Sequence, residues 1–359
     1  MSWDQIFGHD HLVDRFRTAV VRERLGSAFL FVGPDGIGKR RFALELATAL
    51  LCERNPESEL NACGQCEACQ MVAAGSHPDL FTIEKPDDKA SIPVELIIGD
   101  RDHRNRKGLR HEISLSPFRG GRKIVVIDDA DFLFEEAANS LLKTLEEPPP
   151  RSVLILLVAN LAGQLPTIRS RCQVVHFQPL SNDQVEQILG SLTDFEPAVS
   201  FQCLASLSAG SLDQAMRWAD PTLLEFRTAF LAVLGERQWA STLLAKQVAD
   251  FLDQAGKEAA ARRDRFRTIV QCAEQFYRAL MRRLIGQPHK ADEALCRAVD
   301  RAAEHWQAGT EGVARCLDRC LDAEREVAAN ANQALLVECW LDDLAGHTNM
   351  RKGAAVHVY

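Results

Sequence analysis

Short apolar runs alternate with segments of helical spacing along the first half of the chain. Five runs have the β-branched and aromatic composition of buried strands, and the segments between them place apolar residues three and four positions apart. Strands that alternate with helices predict a parallel sheet that is covered on both faces, so the predicted fold class is α/β. The predicted strands are residues 28–32, 80–83, 124–127, 153–158 and 174–177.

After Pro179 the pattern predicts helices and no further strand. Ser181 and Gln184 have the spacing of a capping box, which marks the start of a helix. The division expected from these changes is an α/β domain, a small domain of three helices, an all-helical domain and a flexible tail. Their expected bounds are 1–178, 179–220, 221–346 and 347–359.

Residues 33–40, Gly-Pro-Asp-Gly-Ile-Gly-Lys-Arg, match the phosphate-loop pattern Gly-x4-Gly-Lys-[Ser/Thr] except at its last position. A strand precedes the loop and a helix follows it, which is the context in which this pattern binds phosphate. Arg40 replaces the hydroxyl that would bind Mg²⁺, and a guanidinium cannot bind another cation. The sequence therefore predicts weak or no nucleotide binding and no hydrolysis. The predicted phosphate-binding residues are Gly33, Gly36, Gly38 and Lys39.

Two carboxylates follow the predicted strand 124–127, at the place where phosphate-loop NTPases bring an Asp towards Mg²⁺. Asp128 fits that position. Asp129 is one methylene shorter than the Glu that many of these enzymes use to activate water, and such a displacement lowers the rate by orders of magnitude. The alternative is that both residues cap the helix that follows.

Four cysteines lie close together in the chain: Cys63-x2-Cys66-x2-Cys69, with Cys52 eleven residues earlier. Zinc prefers four tetrahedral ligands, and thiolates at this spacing converge on one ion, so a structural zinc site is predicted. An iron–sulfur cluster could use the same ligands, and unligated thiols are the remaining alternative. Four sulfur ligands leave no open position for a catalytic metal.

Composition and charge exclude several classes of protein. The net charge of −8 shows no overall basic character for nucleic-acid binding. The amino-terminal residues lack the pattern of a secretory signal, and the apolar runs are too short to cross a bilayer. Eleven cysteines without such a signal favour a reducing compartment. A cytoplasmic location without membrane contact is expected.

Several segments together are similar to bacterial clamp-loader subunits, which belong to the AAA+ class. The most specific are residues 137–149, Ala-Ala-Asn-Ser-Leu-Leu-Lys-Thr-Leu-Glu-Glu-Pro-Pro, and residues 165–172, Leu-Pro-Thr-Ile-Arg-Ser-Arg-Cys. The resemblance implies an AAA+ phosphate-loop domain with a zinc module at 52–69, a lid domain at 179–220 and a collar domain for oligomerisation at 221–346. Within the class, the altered loop resembles the delta-prime stator family of DNA polymerase III more than the gamma/tau motor.

The same resemblance implies roles for two further residues. Arg171 corresponds to an arginine finger that acts on the ATP site of a neighbouring motor subunit. Asp213 lies where motor subunits carry a nucleotide-sensing Arg, and its charge would repel a γ-phosphate. The implied partners are gamma/tau and delta subunits in a hetero-pentamer, which loads a sliding clamp on primed DNA. An active AAA+ motor and a nucleotide kinase are the alternatives.

The segment 99–110 has the composition of a basic insertion. It could contact DNA phosphates, or it could be a solvated surface loop.

Overall fold

A computed structural model describes most of the chain. The described residues are 3–86, 89, 91–100, 107–119, 121–193, 195–197, 199–256, 258–288, 292–329 and 331–348. The central part of the basic insertion, 101–106, and the end of the tail, 349–359, lie outside them. The chain divides into two compact units, one of residues 1–194 and 208–215 and the other of residues 195–207 and 216–359. The finer division predicted from the sequence stays a prediction.

Within the part of the chain that the structure describes, the first unit is built on five parallel strands. They are β1 (Ala28–Val32), β2 (Leu80–Ile83), β3 (Lys123–Ile127), β4 (Ser152–Val158) and β5 (Gln173–His176), in the sheet order β2-β3-β4-β1-β5. All four strand pairings are parallel, which confirms the predicted α/β class.

Both faces of this sheet are buried. Phe29 and Phe31 of β1 belong to the apolar core on one face, whereas Leu30 and Val32 belong to the core on the other. Alternation along a strand directs successive side chains to opposite faces, so a strand covered on both sides is apolar throughout. This explains why the strands appear in the sequence as continuous apolar runs.

The helices of the first unit cover these faces and connect the strands. Helix α2 begins directly after the glycine loop, and α6 ends at Glu146, two residues before Pro148, Pro149 and Pro150, which cannot continue a helix. The helices are α1 (Asp10–Val21), α2 (Lys39–Leu51), α3 (Glu67–Ala73), α4 (Val94–Ile98), α5 (Leu109–Ser114), α6 (Glu135–Glu146), α7 (Pro166–Arg169) and α8 (Asn182–Gly190).

The remaining described elements are all helical. The predicted capping box is present at the start of α8, where Ser181 Oγ accepts from the Gln184 N–H and the Gln184 side chain accepts from the Ser181 N–H. The helices are α9 (Phe201–Leu207), α10 (Leu212–Arg217), α11 (Pro221–Leu234), α12 (Ser241–Asp253), α13 (Ala259–Leu284), α14 (Glu293–His305), α15 (Gly309–Ala328) and α16 (Gln333–Thr348).

The second unit has its own core, formed mainly by α11 to α16. A buried ion pair lies within it: the Arg227 guanidinium donates to both Asp292 oxygens at 3.0 and 2.6 Å and lies over the Trp218 ring. Cys316 and Cys320 are buried on one face of α15, as expected for core packing. Within the described residues, no helix has both the length and the apolar character that crossing a membrane requires.

Near the amino terminus, one aromatic residue ties the chain to the cysteine segment. The Trp3 indole N–H donates to the Leu60 carbonyl at 2.6 Å, and its ring packs 5.1 Å from the Phe42 ring. The Trp3 bond therefore fixes the backbone just before Cys63.

Candidate functional site: the carboxyl edge of the sheet

The phosphate loop follows β1 at the carboxyl edge of the sheet, where ligands bind in open α/β folds. Gly38 precedes α2 in a left-handed conformation, with φ of 96°, and Gly36 has φ of 73°. Such angles favour glycine. The Lys39 side chain is buried, and its ammonium donates to the Gly33 carbonyl and to the Pro34 carbonyl at 2.8 Å. The predicted loop residues therefore form one continuous turn around the Lys39 ammonium.

Arg40 extends from the start of α2 to the neighbouring strands. Its NH1 lies 2.7 Å from Glu84 Oε2 and 3.2 Å from Asp128 Oδ2. Glu84 directly follows β2 and Asp128 directly follows β3, and these two strands are adjacent in the sheet. Parallel neighbours end at the same edge, which brings the two carboxylates to one guanidinium. A fixed cation thus contacts the carboxylate that a magnesium ion would need.

Asp129 lies next to this contact in a constrained backbone. Its φ of 52° is uncommon for a residue with a side chain. Burial raises the pKa of the Asp129 carboxyl, and repulsion from Asp128 and Asp35 raises it further. Asp129 makes no side-chain capping bond to the turn that follows, whereas Asp128 Oδ1 accepts from the Asp129 N–H at 3.0 Å. That bond ends at Asp129, before the turn at 130–132 begins, so neither carboxylate caps the element that follows.

The segment 208–215 covers the tip of the phosphate loop. The Leu212 N–H donates to the Gly36 carbonyl at 2.9 Å. A methyl group added to Gly36 would lie 2.7 Å from the Asp213 nitrogen and 2.8 Å from its carboxyl carbon. Side-chain carbons do not approach other atoms this closely, so the contact requires glycine. Asp213 therefore adds a negative charge beside a loop whose pattern is typical of anion binding.

His9 lies beneath the loop and was not predicted as a site residue. Its imidazole is buried, burial lowers its pKa, and Nε2 donates to the Ile37 carbonyl at 2.8 Å. The ring also makes an edge contact with Phe177 at 4.8 Å between centroids. No sequence pattern indicates this contact, because it depends on how α1 packs. Glu84, in contrast, could have been predicted from its position directly after a strand.

Arg171 lies on the turn between α7 and β5. Its Nε donates to Glu146 Oε1 at 2.7 Å, and NH2 donates to the same oxygen. NH1 donates to the Thr167 carbonyl at 2.9 Å and to Ser170 Oγ at 3.1 Å. Neither the Glu146 pair nor the local bonds were predicted from the sequence. The side chain is about one-third exposed, so Arg171 is held in place and still reaches the surface.

The four cysteines converge as the sequence predicts. Their sulfur atoms all lie within 4.8 Å of one another, and the Cys52–Cys66 and Cys63–Cys69 sulfurs are each 4.0 Å apart. Four sulfurs bound tetrahedrally at the usual Zn–S distance lie about 3.8 Å apart. The cluster thus has the size and donor set of a site for one metal ion.

Backbone N–H groups favour thiolates in this cluster. The N–H groups of Gln65 and Cys66 lower the pKa of the Cys63 thiol to about 6. Burial and the neighbouring sulfurs raise the pKa of Cys69. Among the described residues, the apolar cluster here is formed by the small side chains of Ala62, Ala68 and the cysteines, so apolar packing contributes little.

A polar scaffold supports the cluster. Arg119 donates to Glu53 and Glu67, each at 2.6 Å, and these residues adjoin Cys52 and Cys66. The Phe118 and Arg119 N–H groups donate to the buried Asp79 carboxylate, which also pairs with Lys123 at 3.2 Å. Burial would raise the pKa of Asp79, but these bonds outweigh it and hold the pKa below its usual value.

Residues 8–181 match the family described as DNA polymerase III, delta subunit. The chain is 39% identical over 197 residues to DNA polymerase III subunit delta' of Pseudomonas aeruginosa, a match that covers 55% of this chain and 56% of that protein. It is 27% identical over 226 residues to subunit tau of Bacillus subtilis, covering 62% of this chain and 38% of that protein. These matches span about half or less of each relative's length.

Among solved structures, a gamma subunit-related protein of Thermotoga maritima aligns with a TM-score of 0.43 at 16% identity. That alignment covers 94% of this chain and 99% of the other.

Proposed function

We propose that the protein is a clamp-loader subunit of the delta-prime type. The premise of this proposal is that residues 8–181 of the chain belong to the DNA polymerase III delta subunit family. In this proposal the protein is a stator that does not hydrolyse ATP. It assembles with gamma/tau and delta subunits in a hetero-pentamer in the cytoplasm and helps to place a sliding clamp on primed DNA.

One observation carries the non-hydrolysing part of the proposal. The Arg40 guanidinium contacts Asp128 and Glu84 at the edge where a phosphate-loop enzyme would bind magnesium. The residues present do not fit a magnesium ion, since a cation already contacts the carboxylate that would bind it. Asp129 and Asp213 add to this argument, one because it is too short to position water and the other because its charge opposes a γ-phosphate.

Nucleotide binding in this proposal is weak and insensitive to magnesium. The Lys39 ammonium and the loop N–H groups can still attract phosphate oxygens. The segment 208–215 opposes phosphate binding, because it lies on the tip of the loop and places the Asp213 carboxylate beside it.

The second part of the proposal concerns Arg171. A guanidinium at the surface, fixed by Thr167 and Ser170, suits an arginine finger that stabilises charge on a neighbour's γ-phosphate. A loader reconstituted with the Arg171→Ala variant should hydrolyse ATP more slowly, because the one site that Arg171 completes should lose about 10³ or more of its turnover while the other sites of the complex remain intact. Unchanged turnover would contradict the finger role.

An active motor is the second candidate, and the complete glycine pattern with Lys39 favours it. Phosphate release by the isolated chain distinguishes the motor from the stator. Steady phosphate release that Lys39→Ala abolishes would establish the motor and overturn the stator, whereas the stator predicts no release above the level of that variant.

The four-cysteine cluster is proposed to bind one structural zinc ion. The ligands are Cys52, Cys63, Cys66 and Cys69, and the ion would hold together a segment that has almost no apolar core of its own.

A further inference from the structure

The surroundings of Arg171 separate into two sets of contacts. The Thr167 carbonyl and Ser170 hydroxyl come from the same turn as Arg171 and hold NH1. Glu146 is the last residue of α6, and one of its carboxylate oxygens accepts hydrogen bonds from both Nε and NH2 of Arg171. Together these bonds use four of the five guanidinium N–H groups. The local bonds fix where the guanidinium lies, and among the described residues Glu146 is the one that neutralises its charge.

The exposure of the Arg171–Glu146 pair determines how strongly the two side chains hold each other. The Arg171 and Glu146 side chains are 31% and 47% exposed. Ion pairs with this exposure contribute little to stability, whereas separating a buried pair is expensive. Carboxylate and phosphate oxygens both bind a guanidinium through charged hydrogen bonds, so they compete for the same N–H groups. The geometry thus permits exchange of one anion for another.

We infer that Glu146 is a positioning residue that holds Arg171 until a phosphate of the adjoining subunit displaces it. This inference rests on the proposed function of Arg171. When the exchange occurs, Nε and NH2 leave the Glu146 carboxylate, while NH1 stays bonded to Thr167 and Ser170. Glu146 therefore raises the nucleotide concentration that is needed before the finger engages.

The first experiment tests the pair in the isolated full-length chain. With ¹⁵N-labelled arginine, the Arg171 Nε–H signal is assigned by its absence in Arg171→Lys, and its exchange with solvent is measured. Glu146→Ala should speed this exchange severalfold. Glu147→Ala is the matched control, since Glu147 is the next residue and does not contact Arg171, and it should leave the exchange unchanged. Equal exchange in wild type and Glu146→Ala would overturn the inference.

The second experiment measures ATP turnover of the reconstituted loader. Glu146→Gln should lower the ATP concentration for half-maximal turnover by about two- to fivefold, the range expected for an exposed ion pair, and change the maximal rate less. Added salt should reduce the difference from wild type, because it screens the pair in the wild-type chain. A general loss of structure would instead lower the maximal rate.

Two controls separate this inference from the proposed function. Glu147→Gln should match wild type, and Arg171→Ala should lower turnover. If Arg171→Ala has no effect, both the finger role and the inference are wrong. If Arg171→Ala lowers turnover but Glu146→Gln behaves like Glu147→Gln, the inference alone is wrong.

Discussion

Two places in the first unit have the features of cation sites, and they differ in which cation their donor atoms can accept. At the carboxyl edge of the sheet, Asp128 and Glu84 converge on the guanidinium of Arg40, a cation that belongs to the chain. In the cysteine cluster, four sulfurs converge within 4.8 Å of one another. The phosphate-loop pattern at the first place is nearly complete, and yet the second place is the better candidate for a metal.

The comparison shows that one side chain can outweigh an otherwise intact motif. The glycines and Lys39 keep the phosphate-loop shape, but Arg40 satisfies the carboxylates that would bind the metal. The cysteine cluster has a less regular spacing in the chain, but its donors are complete and backbone N–H groups support them.

The largest effect should come from removing ligands of the cysteine cluster. Zinc binding contributes on the order of 10 kcal/mol to folding in small zinc domains, so Cys66→Ser with Cys69→Ser should lower the free energy of unfolding by more than about 3 kcal/mol. Metal analysis should show the loss of about one zinc per chain, and thermal unfolding should show a lower Tm. Cys339→Ser, an exposed thiol of α16, is the control. If the wild-type chain is fully folded without metal, the cysteine cluster is no better a metal site than the carboxyl edge of the sheet.

The scaffold behind the cluster gives the next effect. Asp79→Asn leaves the buried Lys123 ammonium without its counter-charge, and breaking a buried pair costs about 3 kcal/mol. Urea unfolding at pH 7 measures the loss. Asp14→Asn, at an exposed pair on α1, should change stability by less than about 1 kcal/mol.

The effect of Asp79 should also depend on pH. Because the folded state lowers the pKa of Asp79, its contribution is complete above the unfolded pKa of about 4 and is lost as the pH falls through the folded value. The difference between wild type and Asp79→Asn should therefore shrink between pH 5 and pH 3. A difference that stays constant over this range would show that the carboxylate charge is not the source.

A smaller effect is expected from restoring a hydroxyl to the loop. Arg40→Ser removes the guanidinium from Asp128, so nucleotide affinity should become dependent on Mg²⁺ and rise about tenfold, or about 1.4 kcal/mol. Hydrolysis should stay absent, since Asp129 is unchanged. Calorimetric titration with and without Mg²⁺ measures this. Arg41→Ser, whose guanidinium contacts Gln5, is the matched control and should leave affinity unchanged.

The sequence predicted the sheet well because burial on both faces makes each strand a continuous apolar run. Every predicted strand agrees with the observed one within one residue at each end. The shape of the loop and the convergence of the four cysteines were also predictable, since local spacing determines which of their atoms can meet.

Contacts that join distant segments were not predictable. Arg171 and Glu146 are 25 residues apart and meet only because α7 packs near the end of α6. Arg227 and Asp292, 65 residues apart, depend in the same way on the packing of helices. Periodicity identifies the buried face of a helix, but it does not determine which charged residue of another helix lies opposite.

The Trp3 bond has a practical consequence for making the protein. Its indole holds a carbonyl 57 residues further along the chain, shortly before the second cysteine of the cluster. Removing the residues up to and including Trp3, or covering them with a fusion partner, would break this hydrogen bond. The backbone that leads to Cys63 would then be held less firmly. Purification handles are better placed at the opposite terminus.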